Sequence, residues 1–129
     1  MKALLDTHTF LWWIGSSSSL SSTVHDLIIS GDHEIFLSAA TIWEIAIKAH
    51  KGRITLPDAL ENMVAKAQSY YHFSVLPIQI SHACRVISLP DHHNDPFDRL
   101  LIAQCQVEGM SLLSADKIIP QYDLNVIWD

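Results

Sequence analysis

Four acids in this sequence stand where an apolar run gives way to a helical pattern, or just inside one. Asp6 ends the run Lys2–Leu5, and Glu44 lies early in a helix opened by Ser38. Asp98 falls in the first turn of the helix begun by Pro96, and Asp116 follows Ser111–Leu113. Carboxylates gathered from separate segments repel one another, so a cluster is costly unless a cation sits in it or some members are protonated. Hard oxygen donors of this kind suit Mg²⁺ or Mn²⁺, held by a few carboxylates, several waters and a substrate phosphate. Two such ions ~3.5–4 Å apart can activate a water and steady the leaving oxygen of an in-line phosphodiester displacement. No nucleophile–base pair of the Ser/His kind competes with this reading.

Each acid also has a plainer use. Asp6 could serve a turn, and Glu44 could pair with Lys48 at i+4, worth only a few tenths of a kcal/mol. Asp95 precedes Pro96, which suits the first helical position, so Asp95 and Asp98 could simply cap that helix. Asp116 could cap a short turn of helix. The joint pattern outweighs any single member. Among the other polar residues, His92 and His93 have no third ligand at zinc-like spacing and read as a solvated loop. His8 could reach the same crevice. Trp12, Trp13 and Trp43 read as core or interface residues, and Lys48, Lys51 and Arg53 as a basic group able to touch phosphates.

The elements that must position these acids alternate. Strands are expected at Lys2–Leu5, Ile35–Leu37, Phe73–Leu76, Ser111–Leu113 and Asn125–Trp128. Between them, helical patterns cover Thr7–Trp13, a segment capped by Ser21 or Ser22 and stopped by Gly31, and Ser38 to near Gly52. Further helices are expected from Leu56-Pro57-Asp58 through Tyr71, over Ser81–Ser88, from Pro96 to a left-handed cap at Gly109, and briefly at Asp116–Ile119. Such alternation predicts an α/β fold: a mostly parallel sheet of about five strands, helices on both faces, right-handed crossovers. Ligands bind such sheets beyond the carboxyl ends of the strands, where the four acids fall.

The 129 residues are read as a single domain, 1–129, able to bury roughly two-thirds of its unfolded surface. Half the residues are hydrophobic (49%) and few are charged (17%), which excludes disorder. No apolar run reaches the ~18–20 residues of a membrane span, and no signal peptide precedes Asp6. Cys84 and Cys105 are far apart and read as small core residues in a reducing, cytoplasmic setting. A net charge of −6 argues against gripping nucleic acid by bulk charge, though not through metal ions.

The motifs resemble the PIN-domain ribonucleases, specifically the toxin halves of VapBC-type toxin–antitoxin pairs. The matching stretches are Leu4-Leu5-Asp6-Thr7-His8, Trp43-Glu44-Ile45-Ala46-Ile47-Lys48, Lys51-Gly52-Arg53-Ile54, Leu56-Pro57, Asp95 to Gln104, and Ser114-Ala115-Asp116. They cover nearly the whole chain in order. The resemblance implies a PIN fold, metal-dependent cleavage of single-stranded RNA, a homodimer and a small inhibitory antitoxin. It implies metal-binding roles for Asp6, Glu44, Asp98 and Asp116, with Ser114 keeping a hydroxyl two residues before the last acid. Asp95 matches an acid found in only some members. Two rival readings are a non-catalytic PIN-like scaffold and an aspartate-nucleophile phosphatase. The second wants another acid two residues after Asp6, where this chain has His8.

Overall fold

The computed structural model describes residues 1–129. Its frame is a parallel sheet of β1 (Lys2–Leu5), β2 (Glu34–Ser38), β3 (Ser74–Leu76), β4 (Ser111–Leu113) and β5 (Val126–Ile127), ordered β3-β2-β1-β4-β5. The connections carry α1 (Thr7–Ile14), α2 (Ser22–Ile29), α3 (Ala39–His50), α4 (Leu60–Ser69), α5 (Ile80–Arg85) and α6 (Pro96–Glu108). The strand alternation sorts the core into two layers. Ala3, Leu5, Ile35 and Leu37 pack on one face with Phe10, Val24, Ile45 and Met63 from the first four helices. Leu4, Phe36 and Leu112 pack on the other with Leu101, Ile102 and Cys105 of α6. The doubly covered parallel sheet expected from the sequence is what forms.

The strand order puts the chain reversal at β1, between β2 and β4. Register pairs Leu5 with Leu113, so the segments leaving β1 and β4 emerge side by side. Asp6 N–H donates to the Leu113 carbonyl at 3.2 Å, and the Thr9 hydroxyl donates to the same carbonyl at 2.9 Å. These bonds join the start of α1 to the end of β4.

A polar chain, fully buried at Ser38, Gln104 and His82, locks α6 to the other side of the sheet. The Ser38 hydroxyl donates to Gln104 Oε1 at 2.6 Å and accepts the Ala40 N–H at 3.0 Å, capping α3. Gln104 Nε2 lies 3.3 Å from both the Pro77 carbonyl and His82 Nδ1, and His82 Nε2 meets Glu108 at 2.8 Å. Every member has a partner, which buried polar groups require.

Several boundaries depart from expectation. α4 begins at Leu60, not at Leu56–Asp58, because Asp58 turns its carboxylate onto Ala59 N–H and the Asn62 side chain instead of opening a helix. Tyr71 lies beyond α4, where it packs edge-on against Trp13. The helix expected over Ser81–Ser88 is α5 followed by a 3₁₀ turn, Val86–Ser88. The turn near Asp116 comes later, as a 3₁₀ turn at Ile119–Gln121. Cys105 is buried as expected, but Cys84 is exposed, since α5 turns that face to solvent. Trp13 is core, Trp12 is half-buried and Trp43 is exposed. No helix is long and apolar enough to cross a membrane.

Candidate active site

Asp6 is the N-cap of α1. Its Oδ1 accepts the Thr9 N–H at 2.8 Å, and its other oxygen takes no donor from the chain. Glu44 is buried one turn into α3. Thr7 donates to its Oε1 at 2.7 Å, and Lys48, one turn on, donates to Oε2. Asp95 caps α6 by accepting Phe97 N–H at 2.8 Å and Asp98 N–H at 3.3 Å, so its expected capping role is made. Asp98 stands in the first turn of that helix. Ser114 is buried and its hydroxyl accepts the Asp116 N–H at 3.1 Å, which makes it a support for Asp116 and not a wall of the crevice.

These residues meet. A polar crevice of about 360 Å³ at the carboxyl edge of the sheet is lined by Asp6, Glu44, Lys48, Asp95, Asp98 and Asp116, with Trp12 and His8 at its rim. All four acids singled out in the sequence are there. A larger crevice, about 890 Å³, lies at the opposite strand ends among Trp13, Tyr71 and Phe73. It gathers no acids, so the smaller crevice is the candidate site.

The electrostatics follow from the crowding. Burial pushes the Asp98 carboxyl up to about 7; Asp95, Asp6 and Glu44 add to the push, while His93 works against it. Burial also works to raise Asp116, but its hydrogen bonds from His93, Ile118 and Ile119 outweigh that and hold it below the ordinary carboxylate range. Lys48 is held above its usual range by the Glu44 hydrogen bond, with the charges of Glu44, Asp95 and Asp98 opposing its partial burial. A divalent cation fits this donor set: hard oxygens only partly used by the chain, and a protonated member that a cation would release.

Two residues escaped the sequence reading. The loop is exposed at Asp91, His92 and Asn94 as expected, but the His93 ring turns inward: it is 11% exposed and Nε2 lies 2.9 Å from Asp116 and 3.2 Å from Asp98. One ligand atom each from His93, Asp98 and Asp116 lies within 4.8 Å of the others. Arg99 fixes the loop that carries it, donating to the carbonyls of Pro90 at 2.8 Å and of Val86 and Leu89 at 3.3 Å. The signal for Arg99 was a lone cation heading an apolar helical run. For His93 it was only nearness to Asp95 and Asp98.

A family model for the PIN domain matches residues 3–125. The chain belongs to the PIN-domain family. The resemblance read in its motifs is borne out at that level. Among solved structures, this PIN domain is similar to a VapBC2 complex from Rickettsia felis bound to a promoter DNA fragment, with TM-score 0.76 and 13% identity over 100% of both chains. It is also similar to a DNA-bound VapBC from Salmonella typhimurium (TM-score 0.70, 15% identity, 98% and 97% of the two chains). FitAcB from Neisseria gonorrhoeae gives TM-score 0.67 at 17% identity over 97% and 96%. At these identities the likeness speaks for the fold. Among curated proteins the sequence has no match.

Proposed function

We propose that this PIN domain is a Mg²⁺- or Mn²⁺-dependent endoribonuclease, the toxin of a toxin–antitoxin pair, which hydrolyses single-stranded RNA in the cytoplasm. The observation that carries it is the convergence of Asp6, Glu44, Asp98 and Asp116 on one crevice, with Asp98 pushed up to about 7 by burial and its acidic neighbours. Asp6, Glu44 and Asp98 would hold the ion, with Asp116 at its edge and Asp95 mainly a cap. A bound ion would supply an acidified water as nucleophile and neutralise charge on the phosphodiester. Asp98, pushed up by burial, would release its proton to serve as a ligand if a cation were bound. Lys48 offers the phosphate a positive partner from the crevice wall. The stacked rings of Trp12 and His8, with centroids 5.8 Å apart, offer a flat face at the rim for an unpaired base.

An inhibitory antitoxin belongs to the proposal because the similar structures are complexes by their names. An apolar groove of about 500 Å³ supports it, lined by Leu11 and Ile14 of α1 with Ile54, Leu56 and Met63. A partner helix lying there would follow α1, whose first turn is the crevice. A homodimer is also proposed, since Trp43, Ile80 and Ile87 stand exposed. The decisive experiment is cleavage of a mixed RNA pool by purified protein, with and without EDTA, beside the Asp6→Asn and Asp98→Asn variants. Chelator and both substitutions should abolish cleavage. Cleavage unchanged by EDTA overturns the metal reading.

A further inference from the structure

We infer that His93 is a positioning residue that, as its Nε2–H tautomer, ties Asp98 to Asp116 and decides which carboxylate oxygens stay open to an ion. The inference rests on the metal-dependent reading of the crevice and goes beyond it by assigning unequal roles to the acids.

The backbone N–H of Asp95 donates to His93 Nδ1 at 3.1 Å. A ring nitrogen that accepts cannot carry the hydrogen, so hydrogen-bond geometry assigns the ring hydrogen to Nε2. That N–H is hydrogen-bonded to Asp116 Oδ2 at 2.9 Å, and Asp98 Oδ2 lies 3.2 Å from the same nitrogen. With its lone pair spent on Nδ1 and its hydrogen on Nε2, the ring has no electron pair left for a metal. It is a donor to carboxylates.

The ring is held from outside the crevice as well. Tyr122 Oη accepts the N–H of His92 at 3.1 Å and of His93 at 2.8 Å, and donates to the Pro90 carbonyl at 2.9 Å. Arg99 grips Pro90, Val86 and Leu89 from α6, the helix that also bears Asp98. These bonds tie the loop to the helix.

The consequence is a division among the acids. Asp116 Oδ1 already accepts the N–H groups of Ile118 at 2.7 Å and Ile119 at 3.3 Å, and its Oδ2 takes His93. Asp98 yields Oδ2 to His93 and keeps Oδ1 clear, while Asp6 keeps Oδ2 clear. Asp6 and Asp98 thus each keep an oxygen clear for an ion, whereas an ion that uses Glu44 shares it with Thr7 and Lys48. Asp116 acts through His93, by anchoring the ring that turns Asp98. Partners of this sort typically change metal affinity 10–100-fold when removed.

The test uses the full chain and reads metal binding and ring chemistry apart from cleavage. In ¹⁵N-histidine-labelled protein free of metal, at neutral pH, His93 should show a protonated Nε2 and an unprotonated Nδ1. It should keep that pattern after saturation with Mg²⁺. A hydrogen on Nδ1, or loss of the Nε2 hydrogen when Mg²⁺ binds, overturns the assignment. In Mn²⁺ titrations, H93F should bind about tenfold more weakly or worse, and H93Q, which restores an N–H donor, should come back to within about threefold of the parent chain. Equal affinity in the parent and H93F overturns it too. A parent chain that binds no Mn²⁺ would instead sink the metal-dependent function, and the tautomer in the metal-free protein would still decide the role of His93.

Discussion

Lys48 donates to Glu44 across one turn of α3, so the most deeply placed glutamate of the crevice already has a cation of its own. The ammonium neutralises one of four converging acids when no metal is present, and its raised pKa keeps it charged throughout the physiological range. An ion that uses Glu44 must share it with this lysine. Lys48→Met should therefore lower the melting temperature of the metal-free chain and tighten Mn²⁺ binding. A calorimetric titration beside a thermal melt reads both. Unchanged Mn²⁺ affinity would mean that Glu44 serves Lys48 and Thr7 alone.

The Asp98 carboxyl gives a pH signature. Its folded value of about 7 stands above the ordinary 3.8, so the folded chain keeps a proton that the unfolded chain has released. Stability should fall as pH rises from about 4 to about 7, by about 1–3 kcal/mol, and level off above. Asp116, held low, acts in the opposite sense and only at pH below about 4. Asp98→Asn should remove the slope, raise the melting temperature at neutral pH and abolish cleavage. A parent and variant with parallel pH profiles would contradict the buried, crowded carboxyl. Asp95→Asn should keep most activity, since Asn caps a helix nearly as well.

Stacking at the rim should show in substrate binding. Trp12 packs against His8 on one side and Trp128 on the other, with centroids 5.8 and 5.6 Å away. Trp12→Ala should raise KM for single-stranded RNA about tenfold, with a smaller change in kcat. Steady-state kinetics on a short oligonucleotide checks this, and a pure kcat effect would remove Trp12 from the binding face.

The antitoxin and the ion should oppose each other. A guanidinium or ammonium pushed among Asp6, Glu44 and Asp98 competes for the oxygens a metal needs. Each should weaken the other by the same factor. Mn²⁺ titrated into this chain alone, into its complex with the proposed antitoxin, and into a complex whose inserted cation is cut to Ala should give three different affinities, the second weakest. Equal affinities would point to inhibition by covering the groove.

Gln104→Leu should destabilise the chain by about 1–3 kcal/mol, although Leu is apolar and the position is fully buried. It leaves the fully buried Ser38 hydroxyl without its acceptor. Denaturant melts test this, and a neutral outcome would mean that water takes the place of the amide.

The alternation of strands and helices was legible because two-faced burial writes a continuous apolar run into each parallel strand. Asp6, Asp98 and Asp116 were legible because each sits at or near an element boundary, where few residue types are structurally indifferent; Glu44, inside α3, stood out only through the joint pattern and the family motif. His93 was not legible. Its role comes from contacts with residues 98 and 116, one in the next helix and one beyond the next strand. The polar chain from Ser38 to Gln104, His82 and Glu108 was hidden for the same reason, since each of its links joins residues 22 to 66 positions apart. The start of α4 was misplaced because Asp58 looks like a cap in sequence and spends its carboxylate within its own turn.

The pairing of Leu5 with Leu113 has a consequence for the timing of synthesis. The central strand is made first, yet one of its two neighbours arrives more than a hundred residues later, and Asp116 later still. Until that segment has left the ribosome, Asp6 lacks the Leu113 carbonyl that fixes its own N–H, and the acids cannot converge. The crevice proposed to hold an ion is therefore not assembled in a nascent chain until that segment emerges. Competence arrives late and all at once, with the closing of the sheet.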